Sequence, residues 1–236
     1  MIRTIILILI MALSANATSS ECVVVLHGLI RSASSMQKMA KSLEKEGFEV
    51  VNVDYPSRDY PIEVLAPMAV EKGLLQCRAN GDFETIHFVT HSLGGILLRH
   101  YLSEFDIPEL GRVVMLGPPN QGSIAVDKLE SLVGFDWLNG PAGRQLGKGP
   151  GSIPLNLPPA DFEVGIIAGT RTIDPITSAV LESPDDGRVS VEDTKLEGMT
   201  DFVVVKHSHA FMMRMRKPIE LTIRFLRTGS FSEEQL

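Results

Sequence analysis

Six short runs of the chain are rich in β-branched residues and apolar almost throughout: ECVVVLHG (21–28), FEVVNVDY (48–55), IHFVTHS (86–92), GRVVMLGPP (111–119), FEVGIIAGT (162–170) and DFVVVKHS (201–208). A strand that faced water on one side would alternate polar and apolar residues. Near-continuous apolarity instead predicts strands covered on both faces, as in a parallel sheet between two helix layers. Helical segments separate the runs. Met36, Met39 and Leu43 fall at helical spacing and end at Gly47, a residue suited to a C-terminal cap. Pro61 opens a second helix carrying Ile62, Val64, Leu65 and Val70, Leu93 to Phe105 forms a third, and Pro218 to Leu226 forms a last one. This alternation predicts an α/β fold, a three-layer α/β/α sandwich with a mostly parallel sheet of about six strands and right-handed crossovers.

The N-terminal residues MIRTIILILIMALSANATSS have a single Arg3, an apolar run from Ile5 to Leu13 and the small-residue pattern Ala15-Asn16-Ala17. They predict a secretory signal peptide, residues 1–17, cut after Ala17, and so an exported protein, periplasmic or secreted. An uncleaved anchor is the weaker reading, because the run is about half of the roughly 20 residues that span a bilayer. Residues 18–228 are expected to form the folded domain and 229–236 a polar C-terminal tail. Within the domain, Gly117 to Pro159 is rich in Gly and Pro and interrupts the rhythm. Its amphipathic piece, Ile124 to Leu138, carries Leu129, Leu132, Val133, Phe135 and Trp137. A lid-like insertion over about 118–160 and an irregular cover for the sheet edge are both open readings.

Without the signal the chain has 21 basic and 29 acidic residues, a net charge of −8, which argues against a nucleic-acid partner. Export makes a disulfide between Cys22 and Cys77 possible; two buried thiols are the alternative. Two cysteines this far apart without clustered histidines do not form a zinc site.

Chemistry concentrates at the ends of the apolar runs. In FVTHSLGG (88–95), Ser92 lies between a strand and a helix with Gly94 two positions on, the G-x-S-x-G arrangement of a strained turn that exposes a nucleophilic hydroxyl, with Thr90 in place of the first glycine. A helix N-cap serine would look similar locally. His27-Gly28-Leu29 ends the first strand, where the Leu29 N–H, with that of Leu93, can form an oxyanion hole. His27 itself is better suited to stabilising the turn. After the last strand, His207 and His209 are both candidates for the base, and His209, deeper in its loop and followed by Ala210 and Phe211-Met212-Met213, is preferred. His87, His91 and His100 have structural readings: a strand start, the variable position of the turn and a helix face. For the acid, Asp186, Asp174 and Asp185 all precede the histidine in the required order.

Together these segments resemble the α/β-hydrolase superfamily, in particular its compact lipase- and esterase-like members: LHGL is similar to their oxyanion loop, THSLGG to their nucleophile elbow, PDDGRVSV to their Asp-Gly-x-Val acid turn, HSHAF to their histidine loop, and GPPNQGS to the segment leading into a lipase lid. The resemblance favours Asp186 over Asp174. It implies a sheet that begins at the family's third strand and a serine hydrolase acting on carboxylic esters, with an ester or lipid-like small molecule as substrate and neither metal nor cofactor. A thioesterase or amidase would use the same parts, and a non-catalytic binding module of the same fold is the remaining alternative. Met212, Met213 and Met215 hint at an apolar acyl chain, though a buried core is the commoner use of such residues.

Overall fold

The computed structural model describes residues 21–129, 135–173 and 175–233. The expected signal peptide, Leu132, Val133, Asp174 and the side chains of Leu129, Phe135 and Trp137 lie outside the described residues. In chain order the main elements are β1 (Glu21–Leu26), α1 (Gln37–Lys45), β2 (Glu49–Val53), α2 (Ile62–Asn80), β3 (Thr85–His91), α3 (Leu93–Leu102), β4 (Leu110–Leu116), α4 (Ile124–Leu129), α5 (Phe135–Arg144), β5 (Val164–Gly169), α6 (Pro175–Ser178), α7 (Val191–Thr194), β6 (Asp201–Val205) and α8 (Arg216–Thr228). The six strands form one wholly parallel sheet in the order β2-β1-β3-β4-β5-β6.

The inner strands β1, β3, β4 and β5 are largely buried on both faces, each face covered by its own helix layer, whereas the edge strands β2 and β6 are only partly covered. Val24, Leu26, Phe88, Val113, Met115 and Ile166 pack with Leu65, Ala69 and Val70 of α2 and Ile96 and Leu97 of α3. The alternate residues Val23, Val25, Val89, Val114, Leu116 and Ile167 pack with Met39 and Leu43 of α1 and Phe225 and Leu226 of α8. Met212 and Met213 are fully buried in this second layer, so they form core rather than an acyl-binding surface. The second helix differs in detail from its expected pattern. Pro61 is its N-cap, and Val64 is 42% exposed, off the buried stripe that Ile62, Leu65 and Val70 share. The third helix stops at Leu102 and leaves Phe105 exposed.

Helix α2 lies close on β1. A β-carbon at Gly73 would sit 2.4 Å from Val24 Cγ1, so only glycine permits this approach. Four residues on, Cys77 is bonded to Cys22, and both are fully buried. The disulfide therefore settles the cysteine alternatives and clamps a helix of one layer to a central strand.

The segment over 118–160 is tied down on several sides. The buried Arg99 guanidinium donates to Asn120 carbonyl and Oδ1 and to the carbonyls of Leu157 and Pro158, pinning both ends of the excursion with one side chain. Ser123 Oγ donates to the Arg188 carbonyl (2.9 Å), Lys148 Nζ to Asp193 Oδ1 (2.6 Å), and the Gln145 amide side chain bridges the Ile62 N–H and Glu63. Instead of one amphipathic piece the segment holds α4 and a kinked α5, whose helical geometry breaks at Gly140 (φ 65°, ψ −173°). The start of the expected tail is docked: Gly229 caps α8 in the left-handed conformation, the Phe231 ring packs on Phe225 at 4.9 Å, and Asp201 Oδ2 accepts from Ser230 Oγ and Phe231 N–H.

The Cys22–Cys77 bond closes a loop with a sequence separation of 55 residues. Replacing both cysteines with serine is expected to lower the unfolding free energy by about 4 kcal/mol through the greater freedom of the unfolded chain. The urea midpoint of the variant checks this; an unchanged midpoint would contradict it.

Candidate active site

In a parallel sheet the strands share one direction, so the loops leaving their carboxyl ends gather at one edge. Here β1 and β3 are neighbours whose crossovers depart in opposite directions, which opens the sheet edge between them. The segments singled out above follow β1 and β3 on this opening and β5 and β6 beside it.

Ser92 lies between β3 and α3 at φ 52°, ψ −119°, a conformation that L-residues avoid and that costs about 1–3 kcal/mol. Its N–H donates to the Leu116 carbonyl (2.9 Å), which holds the turn against the end of β4. The following helix starts so abruptly that a β-carbon at Gly94 would lie 2.9 Å from the carbonyl oxygens of both Leu26 and His27. Thr90, at the usual first glycine, is fully buried, and its hydroxyl lies 3.2 Å from where a Gly95 β-carbon would be. A threonine is tolerated there because Gly95 supplies the missing space.

The turn after β1 is held by its own histidine. His27 Nδ1 donates to the Gly28 carbonyl (2.9 Å), its Nε2 accepts from the Tyr55 N–H (3.3 Å), and the two rings stack at 4.0 Å and 9°. The Tyr55 hydroxyl donates to the His27 carbonyl. Burial holds the His27 imidazole below its ordinary value and pushes the Tyr55 phenol up. In a trans peptide the carbonyl and the next N–H point in opposite directions. Tying the Gly28 carbonyl to the His27 ring thus directs the Leu29 N–H away from that ring. Gly28 itself lies against the Ser92 turn: a β-carbon there would be 2.8 Å from His91 Nδ1 and 3.1 Å from Ser92 Cβ. The insertion borders the same turn, since a β-carbon at Gly143 would touch Leu29 Cδ2 at 3.2 Å.

Beyond β5 and β6 the structure brings Asp186 and His209 together. His209 Nδ1 donates to Asp186 Oδ2 at 2.8 Å with both residues buried, and the His209 N–H donates to the Asp186 carbonyl at 2.9 Å. The other carboxylate oxygen accepts the N–H groups of Arg188 (3.0 Å) and Val189 (2.9 Å), so the acid turn itself orients it. Gly117, in the left-handed region at φ 55°, makes room for the pair: a β-carbon there would lie 3.0 Å from both Asp186 Oδ2 and His209 Nδ1. Asp185 is used differently, accepting from Ser178 Oγ and the Gly187 N–H, each at 2.7 Å. His207 bonds through its main chain, its carbonyl accepting from Arg171 N–H. His87 accepts from the Arg112 N–H, as suits a strand-start histidine, and His100 is buried on α3. His91 was not legible as a site residue, yet its Nε2 reaches the His209 carbonyl at 3.0 Å. Among the described residues no group of three or more His, Cys, Asp or Glu side chains is placed to hold a metal ion, and no helix is long and apolar enough to cross a membrane.

A sequence model of the palmitoyl protein thioesterase family matches residues 22–147, just over half of the chain, including the His27–Leu29 turn and Ser92. The chain belongs to the palmitoyl protein thioesterase family. No curated protein sequence matches it. This thioesterase-family chain has the fold of solved lipases and esterases. The mature lipase of Bacillus licheniformis superposes with a TM-score of 0.68 at 20% identity, over 88% of this chain and 91% of that one. An esterase of Pyrococcus furiosus gives 0.64 at 17% identity, over 89% and 82%. A phospholipase of Legionella pneumophila also gives 0.64 at 17%, over 90% of this chain but 60% of the longer one. The fold is therefore that of an α/β-hydrolase of lipase and esterase type, and the family member is an ester hydrolase.

Burial lowers the pKa of His27, His87 and His91 below the ordinary 6.5. Between each lowered value and 6.5 the unfolded chain binds more protons than the folded one, so the unfolded state gains as pH falls. Stability is expected to be insensitive to these groups above about pH 7.5 and to decline below 6.5, by up to about 1.4 kcal/mol per pH unit for each. Urea titrations across this window measure the slope; a flat profile would mean that the folded chain protonates these rings freely.

Proposed function

We propose that the protein is an exported acyl hydrolase in which Ser92, His209 and Asp186 form a catalytic triad and the N–H groups of Leu29 and Leu93 form the oxyanion hole. The observation that carries this reading is the buried 2.8 Å hydrogen bond between His209 Nδ1 and Asp186 Oδ2, at the sheet edge where Ser92 occupies its strained turn. Donating Nδ1–H to the carboxylate fixes the tautomer and leaves Nε2 free to act as a base. His209 takes the Ser92 proton as the hydroxyl oxygen attacks the acyl carbonyl carbon, and the Leu29 and Leu93 amides hold the negative oxygen of the tetrahedral intermediate. Collapse breaks the bond to the leaving alcohol or thiol, which takes the proton from His209. Water then attacks the acyl-enzyme by the same route and releases the acid.

Oxygen esters and thioesters can both follow this path. Membership of the palmitoyl protein thioesterase family favours a thioester with a long apolar acyl chain. Export is supported by the apolar N-terminal run and by the Cys22–Cys77 disulfide, since such bonds persist in oxidising compartments. The exported chain is expected to begin at Thr18, and N-terminal sequencing checks this. An intact, cytoplasmic N-terminus would refute export.

A fluorophosphonate probe is expected to label the wild-type protein and not Ser92→Ala; equal labelling of both would sink the triad. Asp186→Asn and His209→Ala should each lower kcat roughly 1000-fold or more. His207→Ala should retain activity, and its inactivation in place of His209→Ala would reassign the base. Oxygen-ester, thioester and amide substrates of one acyl chain, compared in parallel, would rank the bond cleaved.

A further inference from the structure

His91 precedes the nucleophile and joins three segments that are far apart in sequence. It belongs to the strained turn of Ser92. Its Nε2 lies 3.0 Å from the main-chain carbonyl of His209, and its ring lies 4.8 Å from the His209 ring at a tilt of 47°. On its other side Nδ1 faces the Gly28 backbone closely enough that a β-carbon there would come within 2.8 Å. The residue is 2% exposed, and Nδ1 has no hydrogen-bond partner. A carbonyl can only accept, so the Nε2 contact requires Nε2–H and assigns the bare lone pair to Nδ1.

We propose that His91 is a positioning residue of the hydrolase: its Nε2–H ties the His209 loop to the nucleophile turn, and its bare Nδ1 seats the glycine of the oxyanion turn. The inference rests on the triad reading above. A proton on Nδ1 would find no acceptor, whereas one on Nε2 meets the His209 carbonyl, so the surroundings satisfy the Nε2–H tautomer. The groups that face the ring carry the same preference. Burial, and then the neighbouring His209, Arg31 and His27, all lower its proton affinity, against the His209 carbonyl, which raises it. A neutral His91 places no second cation beside His209 when that ring becomes imidazolium. Had His91 been charged, it would have opposed the protonated base that the mechanism requires.

The partner of the N–H is a backbone oxygen, so a side chain of similar reach with a donor should substitute. Glutamine places an amide N–H2 near the imidazole Nε2; methionine fills the space without a donor, and asparagine carries a donor too short to reach. His91→Met and His91→Asn are expected to lower kcat roughly 10- to 100-fold with KM little changed, and His91→Gln to restore most of that loss while melting no higher than His91→Met. Equal kcat losses for Gln, Met and Asn would overturn the role of the donor, as would a Met variant with wild-type kcat. If the Met variant does not fold, the Gln and Asn pair still decides. Nitrogen NMR of the Ser92→Ala protein tests the tautomer independently of catalysis: protonated Nε2 and bare Nδ1 from about pH 7.5 to 5.5 are expected. An Nδ1–H tautomer, or protonation of both nitrogens within that range, would refute the proposal even if the triad holds.

Discussion

The backbone at Ser92 is the constraint on which the rest of the active edge depends. A non-glycine residue at φ 52° and ψ −119° persists only if the surroundings over-determine it, and here they do so by removing side chains. Gly28 is packed against Ser92 Cβ, Gly94 lies on the carbonyls that end β1, and Gly95 accommodates Thr90. The Ser92 N–H is tied to β4 through the Leu116 carbonyl. The strain is thus supported by the central strands β1, β3 and β4, whose residues on both faces are sealed by helices. Weakening the contact between α2 and β1, where Gly73 and the disulfide lie, acts on the same scaffold.

What could be read in advance follows from how each feature is encoded. The inner strands were legible because burial on both faces makes most positions of a run apolar, and the helices because one face of each repeats at helical spacing. Helix ends were less legible, since Val64 and Phe105 are apolar yet exposed, and nothing in their identity records that. The tight turns at Gly28 and Ser92 were legible as turns from their glycines at strand ends. The choice between Asp185 and Asp186 was not local: neighbouring carboxylates diverge because one is captured by Arg188 and Val189 amides and aimed at His209, while the other turns to Ser178 and Gly187. His91 reads in sequence only as the variable position of the turn, because its partner is a main-chain carbonyl 118 residues away and a backbone acceptor has no signature in side-chain identity.

The histidines illustrate how one residue type serves different ends. His27 is held as an Nδ1–H donor to Gly28 with Nε2 accepting from Tyr55, whereas His91 requires the opposite tautomer, Nε2–H. Both are buried and both favour the neutral ring, so each acts as a fixed dipole. His209 differs in donating Nδ1–H to a buried carboxylate at 2.8 Å, which in the proposed triad leaves Nε2 to act as the base.

The match to the palmitoyl protein thioesterase family stops at residue 147, before the acid and the histidine that the proposed chemistry needs. The proposed site is assembled from two halves of the sheet: β1 to β4 bring the His27–Leu29 turn and Ser92, β5 and β6 bring Asp186 and His209. The halves meet at two places. Gly117, the first residue after β4, lies against both the carboxylate and the imidazole, and His91 reaches across to the His209 carbonyl. A β-carbon at 117 would press on Asp186 Oδ2 and His209 Nδ1, the two atoms of their hydrogen bond, and so on the position of His209 relative to Ser92. Alignment of the two halves is therefore a packing property of this seam. The turns of the first half can act on a substrate only as far as this seam keeps Asp186 and His209 in register with them.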